Sequence, residues 1–177
     1  MAVTYVVGDA TRSVGAGSKL VAHVCNDVGA WGSGFVLALT RRWREPETYY
    51  RAWHKMRTRD ARAFACELSG RALEMTGDFG LGQSQLVGVG EGIFVLNMVA
   101  QHGLRPASSV TPTIRYDALA LCLRQADAFA KRLGASIHMP RIGCGLGGGS
   151  WDTIEPLIGR LVSADVTVYD LSKGTAS

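Results

Sequence analysis

Five glycines fall within residues 140–151, in the run PRIGCGLGGGSW, between an apolar β-rich stretch and a helix-like one. Glycine lets the backbone turn tightly and approach a ligand with no Cβ in the way, while the unpaired N–H groups and positive dipole of a helix start attract an anion. The chemistry offered by this spacing is a phosphate or diphosphate cradle. Gly143, Gly145 and Gly148 also satisfy G-x-G-x-x-G, with Asp165 and Asp170 roughly 20 residues on, as a nicotinamide dinucleotide site requires. Only one strand remains to follow, however, and that fingerprint normally opens a larger sheet. A third reading gives these glycines to helix-on-strand packing alone. A second run, Gly29-Ala30-Trp31-Gly32-Ser33-Gly34, joins another strand to another helix, so two helix N-termini can converge on one pyrophosphate.

Single residues near these loops add further chemistry. An ionised Asp9 can distinguish an amino edge of a base from an oxo group because it only accepts hydrogen bonds; equally, it can form the turn after Gly8. Tyr169 can pack beside a base with its hydroxyl partly wet, or pack within a sheet. Trp31, in a glycine loop, can wall a cleft or anchor the loop. His23 can act as acid or base near neutral pH or be a packed strand histidine, and Asp27 can orient water or form an Asx turn. His102 lies in a long loop, residues 101–113, of a length that often carries function. His23, His54, His102 and His138 form no recognisable ligand set, and Cys25, Cys66, Cys122 and Cys144 include no CxxC pair, so no metal site and reduced thiols are expected.

The elements that must position these residues alternate. Strands are expected over residues 3–7, 20–25, 83–89, 93–99, 137–140 and 166–171, and helices over 35–44, 46–57, 115–133 and from a Ser150 cap to about 163. Gly90-Glu91-Gly92 reads as a hairpin connection and Gly134 as a helix stop. This pattern predicts a three-layer α/β/α sandwich around a mixed sheet, as a single domain over residues 1–177, with ligands gathered at strand ends. A chain of 177 residues with 47% apolar side chains can enclose one substantial core. The net charge of +4 comes without a long cationic tract, and the arginine-rich stretch from Arg41 to Arg62 reads as a solvated helix face, which argues against a nucleic-acid surface. With no signal-like segment and no apolar run of about 20 residues, a cytoplasmic protein without a membrane partner is expected.

In order and spacing, several segments resemble the macrodomain family, whose members bind ADP-ribose. They are Val6-Val7-Gly8-Asp9, His23-Val24-Cys25-Asn26 leading to Trp31-Gly32-Ser33-Gly34, Val95 to Gln101, PRIGCGL, and Val168-Tyr169-Asp170-Leu171. The likeness covers nearly the whole chain and is nearest to the branch of the terminal ADP-ribose protein glycohydrolases, with a related likeness to yeast-type ADP-ribose 1''-phosphate phosphatases. It implies that Asp9 accepts from the adenine amino group with the Ala10 amide nearby, and that Tyr169 packs beside the base. It further implies diphosphate donors from Gly32, Ser33, Gly34 and Phe35 and from Gly143, Cys144, Gly145, Leu146 and Gly147, with Trp31 at the cleft and Asn26 toward the distal ribose. No cofactor is implied, and the partners would be ADP-ribose and mono-ADP-ribosylated proteins.

The sequence departs from the hydrolase relatives in two places. The strand ending at Gln101 has no lysine, and Gly147 stands where those relatives carry an aspartate. A lysine-adduct route therefore has no nucleophile. The remaining expectation is water attack at the distal ribose, positioned by Asn26 with Gln101 or Asp27 in support, on mono-ADP-ribose esterified to Glu or Asp, whose carboxylate leaves without strong acid assistance. An ADP-ribose 1''-phosphate phosphatase using His23 and a noncatalytic ADP-ribose reader are the alternatives.

Overall fold

The computed structural model describes residues 3–60, 71–106 and 108–171; Arg62 and Cys66 lie outside them. Its strands are β1 (Val3–Val7), β2 (Ser18–Asn26), β3 (Leu73–Met75), β4 (Ser84–Gly90), β5 (Ile93–Gln101), β6 (Ala135–Pro140) and β7 (Val166–Asp170). They form one sheet in the order β1-β7-β6-β2-β5-β4-β3. The first five in that order run parallel, and β4 and β3 add antiparallel pairs at one edge. This is the mixed sheet that the alternating pattern predicts. It is not the dinucleotide-binding order 3-2-1-4-5-6, and the glycine run follows β6 rather than the first strand.

Period-2 alternation divides the core. On β2 and β5, Leu20, Ala22, Leu96, Met98 and Ala100 turn to one face, where α3 (Tyr116–Leu133) and α4 (Trp151–Leu161) cover them. Val21, Cys25, Val95 and Val99 turn to the other, under α1 (Phe35–Arg42) and α2 (Glu45–Met56). Both faces of the central strands are buried, as parallel strands require. Helices on both sides complete the three layers.

Local differences from the sequence expectation have physical causes. Helix α1 stops at Arg42 because Trp43 takes an extended backbone (φ −141°) while its N–H still closes onto Leu39 O. Ser150 sits at the N-cap of α4, yet its side chain makes no capping hydrogen bond. The three-residue β3 is too short to show a period, and a 3-10 turn over Ala10–Arg12 follows β1. Among the described residues, no helix is long and apolar enough to cross a membrane. The parallel arrangement matters most for function, because it brings Val7, Asn26, Gln101, Pro140 and Asp170 to the same edge of the sheet as strand ends.

Candidate functional site

Two adjoining hollows lie along that edge. One, of about 590 Å³, is bounded by Asn26, Gly32 to Val36, Gln101, Leu104, Arg105 and the Pro140–Gly147 run. The other, of about 630 Å³, is bounded by Asp9, Ala10, Leu37, Arg41, Tyr169 and Leu171. They share Gly34, Phe35 and Pro140, so they form the two ends of one elongated cleft.

The first glycine loop is fixed by Asn26. Its Oδ1 accepts from Val28 N (3.1 Å), Ala30 N (3.0 Å) and the Tyr50 hydroxyl (3.0 Å), while Nδ2 donates to Ala30 O at 2.8 Å. Two backbone N–H donors on one oxygen settle the amide's orientation. Asn26, expected to position a water, has its side-chain oxygen already saturated, and the Asx turn expected of Asp27 belongs to Asn26. Arg51 reinforces the loop by donating to Gly29 O (3.1 Å) and Trp31 O (3.2 Å), so this arginine is part of the loop scaffold and not merely a solvated face.

Trp31 is also a correction. It does not line either hollow; its indole is buried against His23 and Tyr50 and donates to Thr40 Oγ1 at 2.8 Å, which makes it the loop's anchor. His23 lies beneath the cleft floor, 1% exposed, with Nε2 bonded to Asn97 Oδ1 at 2.6 Å. Burial lowers its pKa to about 4 against the opposing pull of Asn97 and the Val24 backbone, so it is neutral and only weakly basic at pH 7.

The second loop closes on itself. Gly149 N donates to Gly143 O (2.8 Å), Gly148 N to Gly145 O (3.1 Å) and Cys144 N to Arg141 O (3.3 Å). Cys144 is thereby removed from the donor set, and its half-buried thiol is pushed up in pKa by burial despite Arg141. Left without an acceptor among the described residues are the N–H groups of Gly145, Leu146 and Gly147 and, across the cleft, those of Gly32, Ser33, Gly34 and Phe35. Arg141 holds the base of this loop through a two-bond pair with Asp170 (2.6 and 2.9 Å) and lies over the rings of Tyr5 and Trp151.

At the other end, Asp9 Oδ1 caps the 3-10 turn by accepting from Thr11 N and Thr11 Oγ1, both at 2.8 Å, while Oδ2 takes no hydrogen bond among the described residues. Asp9 thus forms the turn and still has an acceptor to offer. Ala10 N is likewise without an acceptor there. Tyr169 borders this hollow, but its hydroxyl is not wet: it accepts from Val14 N (3.0 Å) and bonds His138 Nδ1 (2.9 Å), whose Nε2 reaches Ser136 Oγ at 2.8 Å.

The long loop after β5 contributes what sequence reading missed. Asp27 accepts from Gly103 N at 2.8 Å and pairs with His102 Nδ1 at 2.7 Å; burial raises its pKa, but these partners bring it below the usual carboxylate value. Asp27, expected to orient water or form an Asx turn, is instead committed with His102 to clamping the loop. The clamp carries Leu104 and Arg105 to the cleft. Arg105 could have been singled out only as the arginine in an unusually long loop. Gln101 also borders the first hollow, donating Nε2 to Gly103 O at 3.0 Å, and its Oε1 has no partner among the described residues. The side chains bordering this hollow include no carboxylate and no lysine, and among the described residues no group of three or more His, Cys, Asp or Glu could hold a metal ion.

No family model matches the chain. It is 44% identical to a macrodomain protein from Streptomyces coelicolor, over 96% of this chain and 99% of that one, with a TM-score of 0.75. A Bacteroides thetaiotaomicron protein of unknown function shares 42% identity, over 97% and 99% of the two chains, with a TM-score of 0.80. At 19% identity the fold also matches Thermosipho africanus DarTG, solved in complex with ADP-ribose, over 87% of this chain and 38% of that one with a TM-score of 0.57. Among curated proteins, mouse chromodomain-helicase-DNA-binding protein 1-like is 31% identical over 94% of this chain, which spans only 17% of that protein's length.

Proposed function

The chain belongs to the macrodomain family, and on that premise we propose that it binds ADP-ribose along the cleft and hydrolyses mono-ADP-ribose esters of glutamate and aspartate on proteins. One observation carries the ligand: N–H groups without acceptors among the described residues come from two separate glycine loops to one hollow, beside a second hollow bearing Asp9, Ala10 and Tyr169. Donors held in place by their own loops, with no Cβ between them, suit a diphosphate bridging adenosine and a second ribose. Adenine would place its amino group on Asp9 Oδ2, a ring nitrogen at the Ala10 amide and its face by Tyr169.

The distal ribose then falls toward Asn26 and Gln101. With no lysine or carboxylate among the described residues bordering that hollow, the reaction is direct attack of water on the anomeric carbon, with positive charge in the transition state stabilised by the ligand's own diphosphate. Gln101 Oε1 is the open side-chain acceptor there and takes over the water-orienting role expected of Asn26. The bare chemistry of the hollow also favours a second reading, a noncatalytic reader of ADP-ribose. The phosphatase alternative is the weaker one, since His23 is 1% exposed with Nε2 committed to Asn97, and burial makes it a poor base.

Calorimetric titration with ADP-ribose, followed by release assays on peptides ADP-ribosylated at Glu, Ser or Arg, tests these readings. Wild type should bind in the micromolar range and release label from Glu alone. A Cβ at Gly145 would meet nothing within 4 Å, so Gly145→Glu should fold normally. Its carboxylate would oppose the diphosphate among the donors and weaken binding by about 100-fold or more. No binding at high micromolar ADP-ribose overturns the proposal; binding without release from any peptide selects the reader.

A further inference from the structure

We propose that Arg105 receives the acyl group of the modified side chain and stabilises the carboxylate as it leaves the distal ribose, an assignment that rests on the ester hydrolysis proposed above. Arg105 borders the first hollow and not the second, which places it at the end away from Asp9. Its Nη1 lies 2.0 Å from the point that a Cβ on Gly148 would occupy. The guanidinium thus rests against bare backbone, in space that any other residue at 148 would fill.

The segment carrying it is held from below. Asp27 binds Gly103 N and His102, and Gln101 binds Gly103 O, two residues before Arg105. Arg105 itself makes no hydrogen bond or ion pair among the described residues. The other arginine at this hollow, Arg141, is already engaged by Asp170. One cation therefore has its donors open at a hollow whose bordering side chains include no carboxylate. The planar guanidinium fork matches a carboxylate with two parallel hydrogen bonds.

In the step proposed, a water oxygen forms a bond to C1'' of the distal ribose while the bond from C1'' to the ester oxygen breaks. The electron pair of that bond goes to the departing carboxylate, which Arg105 pairs, and the proton of the attacking water is released to solvent. A serine linkage would have to leave as an alkoxide, which needs a proton. A guanidinium, which holds its protons throughout the working range, cannot supply one. Arg105 is therefore both a catalytic residue and the source of selectivity for acyl linkages.

The test compares wild type with Arg105→Gln, Arg105→Lys and Arg105→Ala in the full chain, measuring kcat and KM on a Glu-ADP-ribosylated peptide and the calorimetric Kd for free ADP-ribose. Arg105→Gln should lower kcat by about 30- to 100-fold, the scale of one charge-assisted pair, with KM and Kd within about threefold. Arg105→Lys should fall between, and guanidinium chloride at about 10–50 mM should partly restore kcat to Arg105→Ala, which a merely structural role would not permit. Arg124→Gln, on the exposed side of α3, should match wild type. An unchanged kcat in Arg105→Gln, or a Kd weakened as much as kcat, overturns the assignment to Arg105 alone. Failure of wild type to bind ADP-ribose overturns the underlying function, and binding without turnover overturns the hydrolytic step and this assignment together.

Discussion

Gly147 shows why the hydrolase aspartate has no place in this loop. A Cβ there would lie 2.9 Å from Gly143 O and 3.5 Å from Gln101 Oε1, and Gly147 O already accepts from Thr113 N at 2.9 Å. Because Gly143 O also receives Gly149 N, the carbonyl cannot swing away without opening the loop. Gly147→Asp should therefore cost about 1–3 kcal/mol by urea denaturation and leave ADP-ribosyl release no faster than wild type; a stable, faster variant would show that the loop has room to spare. At this scale the sequence was readable where a residue's role is local. Asp9 after β1 forms the turn its position suggested, and the two glycine loops border one hollow. His23, Trp31 and Asn26 were not readable in the same way, because the partners that commit them, Asn97, Thr40 and Tyr50, come from other elements and leave no mark in local spacing.

The principal strands and helices were legible from periodicity, glycine stops and turn residues, whereas their joints were not. Helix α4 illustrates this. The segment after its carboxyl end is tied by a side chain from α3: Asp127 accepts from Ser163 N (2.8 Å) and Ala164 N (3.0 Å) and pairs with Lys131 at 2.7 Å. Burial alone would raise the Asp127 pKa, but Lys131 and the two amides lower it to about 2. A carboxyl whose pKa is depressed on folding stabilises above its unfolded value, near 3.9, and that contribution is lost as pH falls toward the folded value. Asp127→Asn should accordingly destabilise by about 2 kcal/mol at pH 7, with the gap from wild type narrowing below pH 4 in urea titrations. An equal gap at pH 7 and pH 3 would exclude a charge-dependent tie.

For the molecule as a whole, two buried histidines set the acid limit. His23 lies under the first hollow and His138 behind Tyr169 at the second, and burial lowers both to about 4, with Lys19 adding to the effect on His138. Their unfolded pKa is near 6.5, so below that pH protons favour the unfolded chain, and the loss grows until the folded values are reached. Each can withdraw about 3 kcal/mol between pH 6.5 and 4, enough to consume much of a domain's net stability. The unfolding midpoint in urea should drop steeply over that interval, and His138→Gln should flatten the decline; a pH-independent midpoint from 7 to 4.5 would show that these histidines do not control it.

Leu146 and Gly34 give the cleft one further property. The Cδ1 of Leu146 lies 3.2 Å from the point where a Cβ on Gly34 would stand, so a single leucyl side chain spans from one glycine loop to the other. With 57% of its surface in solvent, this bridge can rotate aside without disturbing the core. Rotamer hops of exposed side chains take picoseconds to nanoseconds, far faster than loop or domain opening. A diphosphate bound as proposed would pass a spinning gatepost rather than a hinged door, and its residence time should track the strength of its contacts rather than a slow conformational step.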